Sequence, residues 1–303
     1  MQDVAGRTAF ITGGGGGVGL GMAHAFLSAG MRGVVIADVH EGRLETAIAE
    51  LSAEHGERAH AICLDVTDRA ALAAAADETE RRFGAIHVVC NNAGVNLFND
   101  MAEATYQDWD WIMGVNLGGV INGVVTFAPR IKAHGEGGHI VNTASMASFI
   151  SGPGAGIYTA AKFGVRGLSE ALRFSLHPHG IGVSVYCPGL LDSNIHLSDE
   201  LRPAALSTDM RPADPEFMAR LPEVQRQGMD PREAGEKVLR GILRGDFYIF
   251  SHPEFKDELR EIFDEALAAL PQEDAPANRL AFEDFRRAGK AAARSSWPAE
   301  VGS

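Results

Sequence analysis

The feature that most constrains this chain is an alternation of short β-branched runs with amphipathic helical stretches through its first 190 residues. The apolar runs cover Thr8 to Thr12, Val34 to Ala37, Ala59 to Leu64, His87 to Cys90, His139 to Thr143 and Ile181 to Tyr186, with Phe247 to Phe250 later. Helical patterns separate them at Glu41 to Glu54, Asp68 to Phe83, Asn116 to His134 and Ala160 to Leu176. The strand-like runs are nearly continuously apolar, so both of their faces need cover. Strand and helix in turn then predict an α/β, doubly wound, Rossmann-like parallel sheet of about seven strands with helices on both faces.

No linker interrupts the pattern before residue 190, and residues 1–303 read as a single domain. From residue 190 to 230 prolines at 203, 212, 215 and 222 break up short apolar pieces that include Leu206, Met210, Phe217 and Leu221. Connections in compact domains run about 4–6 residues, so a longer apolar segment reads as a substrate-binding lid. Residues 251–303 add helical patterns at Pro253 to Leu270 and Pro276 to Arg294 and a polar tail, a C-terminal helical extension suited to an oligomer contact.

A formal net charge of −13 argues against nucleic acid as a partner. Cys63, Cys90 and Cys187 each end an apolar run, where a thiol behaves as a small buried hydrophobe. No disulfide framework is implied, which fits a reducing cytoplasm. No apolar run approaches the ~20 residues of a membrane span, so neither a membrane nor a secretory route is expected. No metal is expected either, since neither His-Glu-x-x-His nor paired-cysteine spacing occurs.

After the first strand comes Thr12-Gly13-Gly14-Gly15-Gly16-Gly17-Val18-Gly19, leading into a helix. Glycines let the backbone approach a pyrophosphate, and the helix N-terminus offers free N–H groups and partial positive charge. Asp38 ends the second strand, where a carboxylate can accept from both adenosine ribose hydroxyls and repel a 2′-phosphate. This favours NAD(H), while His40 and Arg43 leave room for the phosphate of NADP(H); a cap on the next helix is the alternative role for Asp38. Asp65-Val66 and Asn91-Asn92-Ala93-Gly94 follow the third and fourth strands on the same sheet edge.

Tyr158 and Lys162 sit four residues apart in a helical run, which places phenol and ammonium on one face. A cation beside a phenol favours phenolate, and Ser145, at the end of the fifth strand, supplies a hydroxyl for a carbonyl oxygen. Such a trio suits carbonyl/alcohol interconversion.

Taken together, these elements resemble the short-chain dehydrogenase/reductase family over residues 5 to about 195. The resemblance rests on the Thr12-to-Gly19 loop, Asp65, the Asn-Asn-Ala-Gly turn, Asn116 in Val115-Asn116-Leu117, Ser145, the Tyr158/Lys162 pair and Pro188-Gly189. It implies Tyr158 as acid/base, Lys162 as the cation that lowers its pKa and binds the nicotinamide ribose, Ser145 as the orienter of the substrate oxygen, and Asn116 as holder of a relay water. It also implies a cofactor groove formed by Gly13, Gly16, Gly17, Val18, Gly19, Asp38, Val39, Asp65, Val66, Asn92, Ala93, Gly94, Tyr158, Lys162, Pro188, Gly189, Leu191 and Ser193. The loop lacks the serine often found before Gly17, which removes one phosphate contact.

A narrower likeness, in Asp108 to Asn116, Gly119 to Phe127 and Ser193-Asn194-Ile195, is to bacterial dehydrogenases of bulky aryl alcohols. Candidate substrate contacts are Asn96, Phe98, Met146, Phe149, Tyr186, Leu190 and His196, a mostly apolar set suited to a bulky hydrophobic secondary alcohol or ketone. An epimerase or dehydratase without net redox and a nucleotide-sensing protein are the alternatives. The resemblance further implies a homodimer or homotetramer, formed through the helices around Asn116 to His134 and Ile157 to Leu176.

Overall fold

The computed structural model describes residues 1–209 and 213–295; Met210 and Pro212 of the expected lid, and the tail from residue 296, lie outside the described residues. Seven strands, β1 (Thr8–Thr12), β2 (Gly33–Asp38), β3 (Ala59–Cys63), β4 (Val88–Asn91), β5 (Gly138–Thr143), β6 (Ile181–Cys187) and β7 (Tyr248–Phe250), form one sheet. Their order is β3-β2-β1-β4-β5-β6-β7 and every pairing is parallel. The strand order reverses between β1 and β4, so the carboxyl ends of these two strands open a crevice.

Among the described residues, ten α-helices accompany the sheet: α1 (Gly17–Ser28), α2 (Glu41–His55), α3 (Arg69–Phe83), α4 (Tyr106–Met113), α5 (Gly119–His134), α6 (Gly156–Leu176), α7 (Pro215–Gln225), α8 (Pro231–Arg244), α9 (Lys256–Ala268) and α10 (Ala277–Arg294). Buried Met22, Phe26, Leu44, Leu51, Val238 and Ile242 of α1, α2 and α8 pack on one face of the sheet. Leu72, Ala76, Phe127, Ile131 and Val165 of α3, α5 and α6 pack on the other. Both faces are therefore dry, which is why the strands lack polar alternation. A smaller cluster around Val95, Leu97, Trp111, Ile112 and Ile157 sits beneath the lid residues Leu201 and Leu206.

Three expectations change. The helix expected from Asn116 begins at Tyr106, and α4 joins α5 through a π-helical turn at Gly114–Gly118. The stretch Tyr106–His134 is long and apolar enough to cross a membrane by length and composition, yet half of it is buried in the fold, as for a core helix. Cys63, at the end of β3, is exposed, whereas Cys90 and Cys187 are buried. Burial raises the Cys90 thiol pKa and pushes that of Cys187 up to about 12. An aromatic disulfide reagent should therefore titrate one fast thiol in the native protein and three after denaturation; two fast thiols would contradict this packing.

Candidate active site

The glycine loop is shaped by contacts that exclude side chains. Gly13 has φ +66°, and a Cβ there would lie 2.8 Å from Ala93 Cα; a Cβ on Gly19 would lie 2.2 Å from the Gly13 carbonyl oxygen. Helix α1 begins at Gly16-Gly17 with no capping side chain and no acidic residue in its first turn, so its N–H groups are left for an anion. Asn92 holds the loop from behind: its Nδ2 donates to the Thr12 carbonyl (3.1 Å) and its Oδ1 accepts from Thr143 Oγ1 (3.1 Å). Thr12 Oγ1 in turn accepts from the N–H groups of Asn92 (2.9 Å) and Ala93 (3.0 Å). The ends of β1, β4 and β5 are thus tied into one rim.

A single cleft runs along this rim. Gly13, Gly16, Gly17, Val18, Asp38, Val39, Asp65, Val66, Asn92, Ala93, Gly94, Pro188, Leu191 and Ser193 line it, as do Tyr158 and Lys162. Gly19 and Gly189 stand behind the wall instead: Gly19 packs under Gly13, and a Cβ on Gly189 would meet Phe255 and His252. Asp38 does not cap α2, because the His40 side chain does, accepting from Arg43 N–H at 3.2 Å. The Asp38 carboxylate accepts from Gly15 N–H and His40 N–H, both at 3.1 Å, which fixes its direction and leaves lone pairs for hydroxyl donors.

Tyr158 and Lys162 lie in the first two turns of α6, and Ser145 is near enough to the Tyr158 phenol to act on its pKa. Ser145 Oγ accepts from Ala147 N–H (3.1 Å), which orients it. Lys162 Nζ lies 5.4 Å from the Tyr158 ring centre and donates to the Thr143 carbonyl at 2.9 Å. Burial raises the Tyr158 pKa, and the neighbouring Ser145 hydroxyl only partly opposes it. Burial also brings Lys162 down to about 8, because the ammonium has lost water without gaining a carboxylate.

Asn116 lies in the π turn, fully buried, and pairs with Val95 like a strand edge. Its Oδ1 accepts from Val95 N–H and its Nδ2 donates to the Val95 carbonyl, both at 2.8 Å. Its side chain is thus committed to holding the loop after β4 rather than displayed to the cleft. A Cβ on Gly94 would sit 3.3 Å from Asn116 Oδ1 and 3.5 Å from Lys162 Nζ, so these groups converge there.

The expected substrate contacts fare worse. Tyr186 is fully buried in the sheet core with its hydroxyl on Ser251, and Met146 is buried in the opposite core. Phe149 packs against Tyr248, Phe250 and the guanidinium of Arg166. Phe98 packs on Phe217 of α7, and Asn96 donates its N–H to Ser198 and caps Leu97 N–H with its own Oδ1. Leu190 and His196 flank the lid's entry without forming the cleft wall. The wall beyond Tyr158 is instead Val95, Trp111, Val115, Ile195, Leu201 and Pro203. Trp111 was not among the expected contacts, and the packing of Leu201 and Leu206 on its cluster makes it part of the wall.

The lid is anchored by a pair that sequence gave no reason to join. Arg202 Nη1 meets Asp108 Oδ1 at 2.6 Å, and both side chains are about 99% shielded from solvent, with 1% exposed. Burial acts to raise the Asp108 pKa, but hydrogen bonds from Thr105 and Arg202 outweigh it and hold the carboxyl below its usual range.

Comparison with known proteins gives a consistent result. A family model described as short chain dehydrogenase matches residues 7–202. C alpha-dehydrogenase of a Sphingobium species is 42% identical over 91% of this chain and 90% of its own. A protein of Novosphingobium aromaticivorans, assigned as a short-chain dehydrogenase, has a solved structure 43% identical over 98% of this chain and 99% of its own, with a TM-score of 0.84. A short chain dehydrogenase/reductase of Burkholderia phymatum, solved in complex with NAD, is 34% identical over 91% of this chain and all of its own, also with a TM-score of 0.84.

Proposed function

The chain belongs to the short-chain dehydrogenase family, and from that membership we propose that it oxidises a bulky secondary alcohol next to an aryl ring, or reduces the ketone, with NAD(H). One observation carries this reading. Tyr158 and Lys162 line a cleft whose glycine-rich end is headed by Asp38 and whose far wall is Val95, Trp111, Ile195, Leu201 and Pro203, and Ser145 acts on the same phenol from behind the lining. The name of the Sphingobium relative points to an alcohol carbon of the C alpha kind, and the Burkholderia relative binds NAD.

The residues present fit a dinucleotide: a cradle that a Cβ would fill, an uncapped helix N-terminus and a fixed carboxylate where the adenosine ribose belongs. Gly16, Gly17 and Val18 would hold the pyrophosphate, Asp38 the ribose, and Ser193 the carboxamide. The coenzyme, when bound, supplies the hydride acceptor or donor. Tyr158 Oη takes the proton of the substrate hydroxyl in oxidation and returns it in reduction. Ser145 Oγ holds the same oxygen, and the charge of the nearby Lys162 ammonium favours the phenolate. Asn116 keeps the loop at Gly94 and Val95 in register with Lys162. Exposed Ile121, Val125 and Phe163 on α5 and α6 support a homo-oligomer assembled on those helices.

Arg43, the cation nearest Asp38 on the cleft wall, lies 3.8 Å from Glu200, which offsets it as a phosphate site. Asp38→Ala should thus raise kcat/KM with NADP+ by about tenfold or more while lowering it with NAD+, since the repulsion of a 2′-phosphate is removed. A panel of aryl and aliphatic secondary alcohols, assayed with NAD+ and NADP+ in parallel, tests the whole reading. Reduction of NAD+ that is fastest with aryl carbinols supports it. A clear NADP+ preference, or no nicotinamide reduction with any alcohol, overturns it.

A further inference from the structure

On the face of the sheet covered by α1, α2 and α8, these helices bring two histidines and two glutamates together. His24 comes from α1, Glu50 and Glu54 from α2, and His55 from the end of α2. His55 has φ −128° and ψ 1°, outside helical geometry, which swings its ring alongside Glu54 although neighbours on a helix point about 100° apart. His24 Nδ1 lies 3.3 Å from Glu54 Oε2, and His55 Nε2 lies 3.7 Å from the same oxygen. The two side chains are only 5% and 10% exposed, and neither of these nitrogens has a hydrogen-bond partner. Two buried, orphaned ring nitrogens facing one carboxylate oxygen are costly unless something occupies the space between them.

We propose that His24 Nδ1, His55 Nε2 and Glu54 Oε2 form a binding site for one zinc-class divalent cation, with water as the fourth ligand. Zinc–ligand bonds of about 2.0–2.1 Å put tetrahedral ligands about 3.3 Å apart, close to the separations already present. His24 has the second partner such a ligand needs: its Nε2 lies 2.9 Å from Glu50 Oε1 and 3.3 Å from Arg232 Nη2, and with the ring proton donated to the nearer Glu50 the Nδ1 lone pair is turned to the cation. Arg232 of α8 binds Glu50 at 2.8 Å and Glu54 Oε1 at 2.7 Å, leaving Oε2 with a single 3.5 Å contact to that guanidinium. Ligation through Nε2 puts the ring proton on Nδ1, so Arg58 gives up a 3.4 Å contact there and keeps its bonds to the Leu27 and Met31 carbonyls.

A second histidine cluster shows the contrast. In His87, His134 and Glu136 each ring nitrogen already has a protein partner: Thr8 N–H and Glu136 for His87, Glu136 N–H and the Ile86 carbonyl for His134. That group is a finished hydrogen-bond chain with no lone pair to offer a cation. The first group pins α1, which carries the glycine loop, to α2 and α8, so the cation would brace the nucleotide half of the fold.

The test is a Co2+ titration of the untagged full chain after chelator treatment, followed by Zn2+ displacement. The expected result is one equivalent of Co2+ with the intense visible absorption of a tetrahedral site, bleached by Zn2+, and a higher Tm with Zn2+ but not Mg2+. His55→Ala, at a helix end, should fold with an unchanged circular dichroism spectrum and lose affinity on the order of 100-fold. Weak octahedral absorption only, or equal Co2+ binding by wild type and His55→Ala, would overturn the site.

Discussion

Tyr158→Phe should lower kcat for alcohol oxidation by about 10²–10⁴-fold, the range over which a positioned acid/base contributes, while the affinity for NAD+ stays within about threefold. The substitution removes one oxygen and keeps the ring, so the cleft wall and the first turn of α6 survive. The removed oxygen is the one that faces the reacting hydroxyl in the proposed geometry, with Ser145 as its neighbour. Lys162 cannot replace it, because its Nζ is drawn to the Thr143 carbonyl at 2.9 Å. Steady-state rates with fluorescence titration of coenzyme separate the two quantities. Turnover within tenfold of wild type would remove Tyr158 from the chemistry.

The second large effect concerns the lid. Arg202→Met should weaken lid docking by about 3–5 kcal/mol, because it leaves the Asp108 carboxylate buried without its cation. Arg202 also donates to the Leu206 carbonyl at 2.5 Å, and its neighbours Leu201 and Pro203 form the cleft wall. The loss should appear as a raised KM for the alcohol and as new protease cleavage between residues 195 and 209, with the sheet intact. Adding Asp108→Asn should recover much of it, since the amide still accepts from Thr105 and buries no charge. The pair also carries a pH signature. The Asp108 pKa is depressed in the fold, so this stabilisation is present at neutral pH and lost as pH falls through the depressed value. An unchanged KM and protease pattern in the single variant would show that the lid does not depend on this pair.

How much of this was legible beforehand follows from which interactions are local. The strands were readable because both faces of the sheet are buried, and a helix such as α3 because Asp68 caps it and Gly84 ends it; α8 carries the same signals in Asp230 and Gly245 yet was not expected. The glycine loop and the Tyr158/Lys162 spacing were readable for the same reason: each lies within a few residues of chain. The π turn at Gly114–Gly118 was not, since nothing in a run of small and apolar residues distinguishes five residues per hydrogen-bonded turn from four. Phe149 and Tyr186 looked like pocket residues beside the site, yet both side chains point into the cores, a choice made by strands and helices far away in sequence.

Sequence alone therefore determined the sheet, the glycine-rich loop and the pairing of Tyr158 with Lys162 on one helix face, all of which depend on short-range periodicity and spacing. Tertiary structure decided the rest. It joined Arg202 to Asp108 across 94 residues, made Trp111 a wall, set Lys162 on Thr143 and aimed two ring nitrogens at Glu54. Those outcomes depend on which desolvated groups meet, and burial changes the energy of a charge or a lone pair far more than any local preference does.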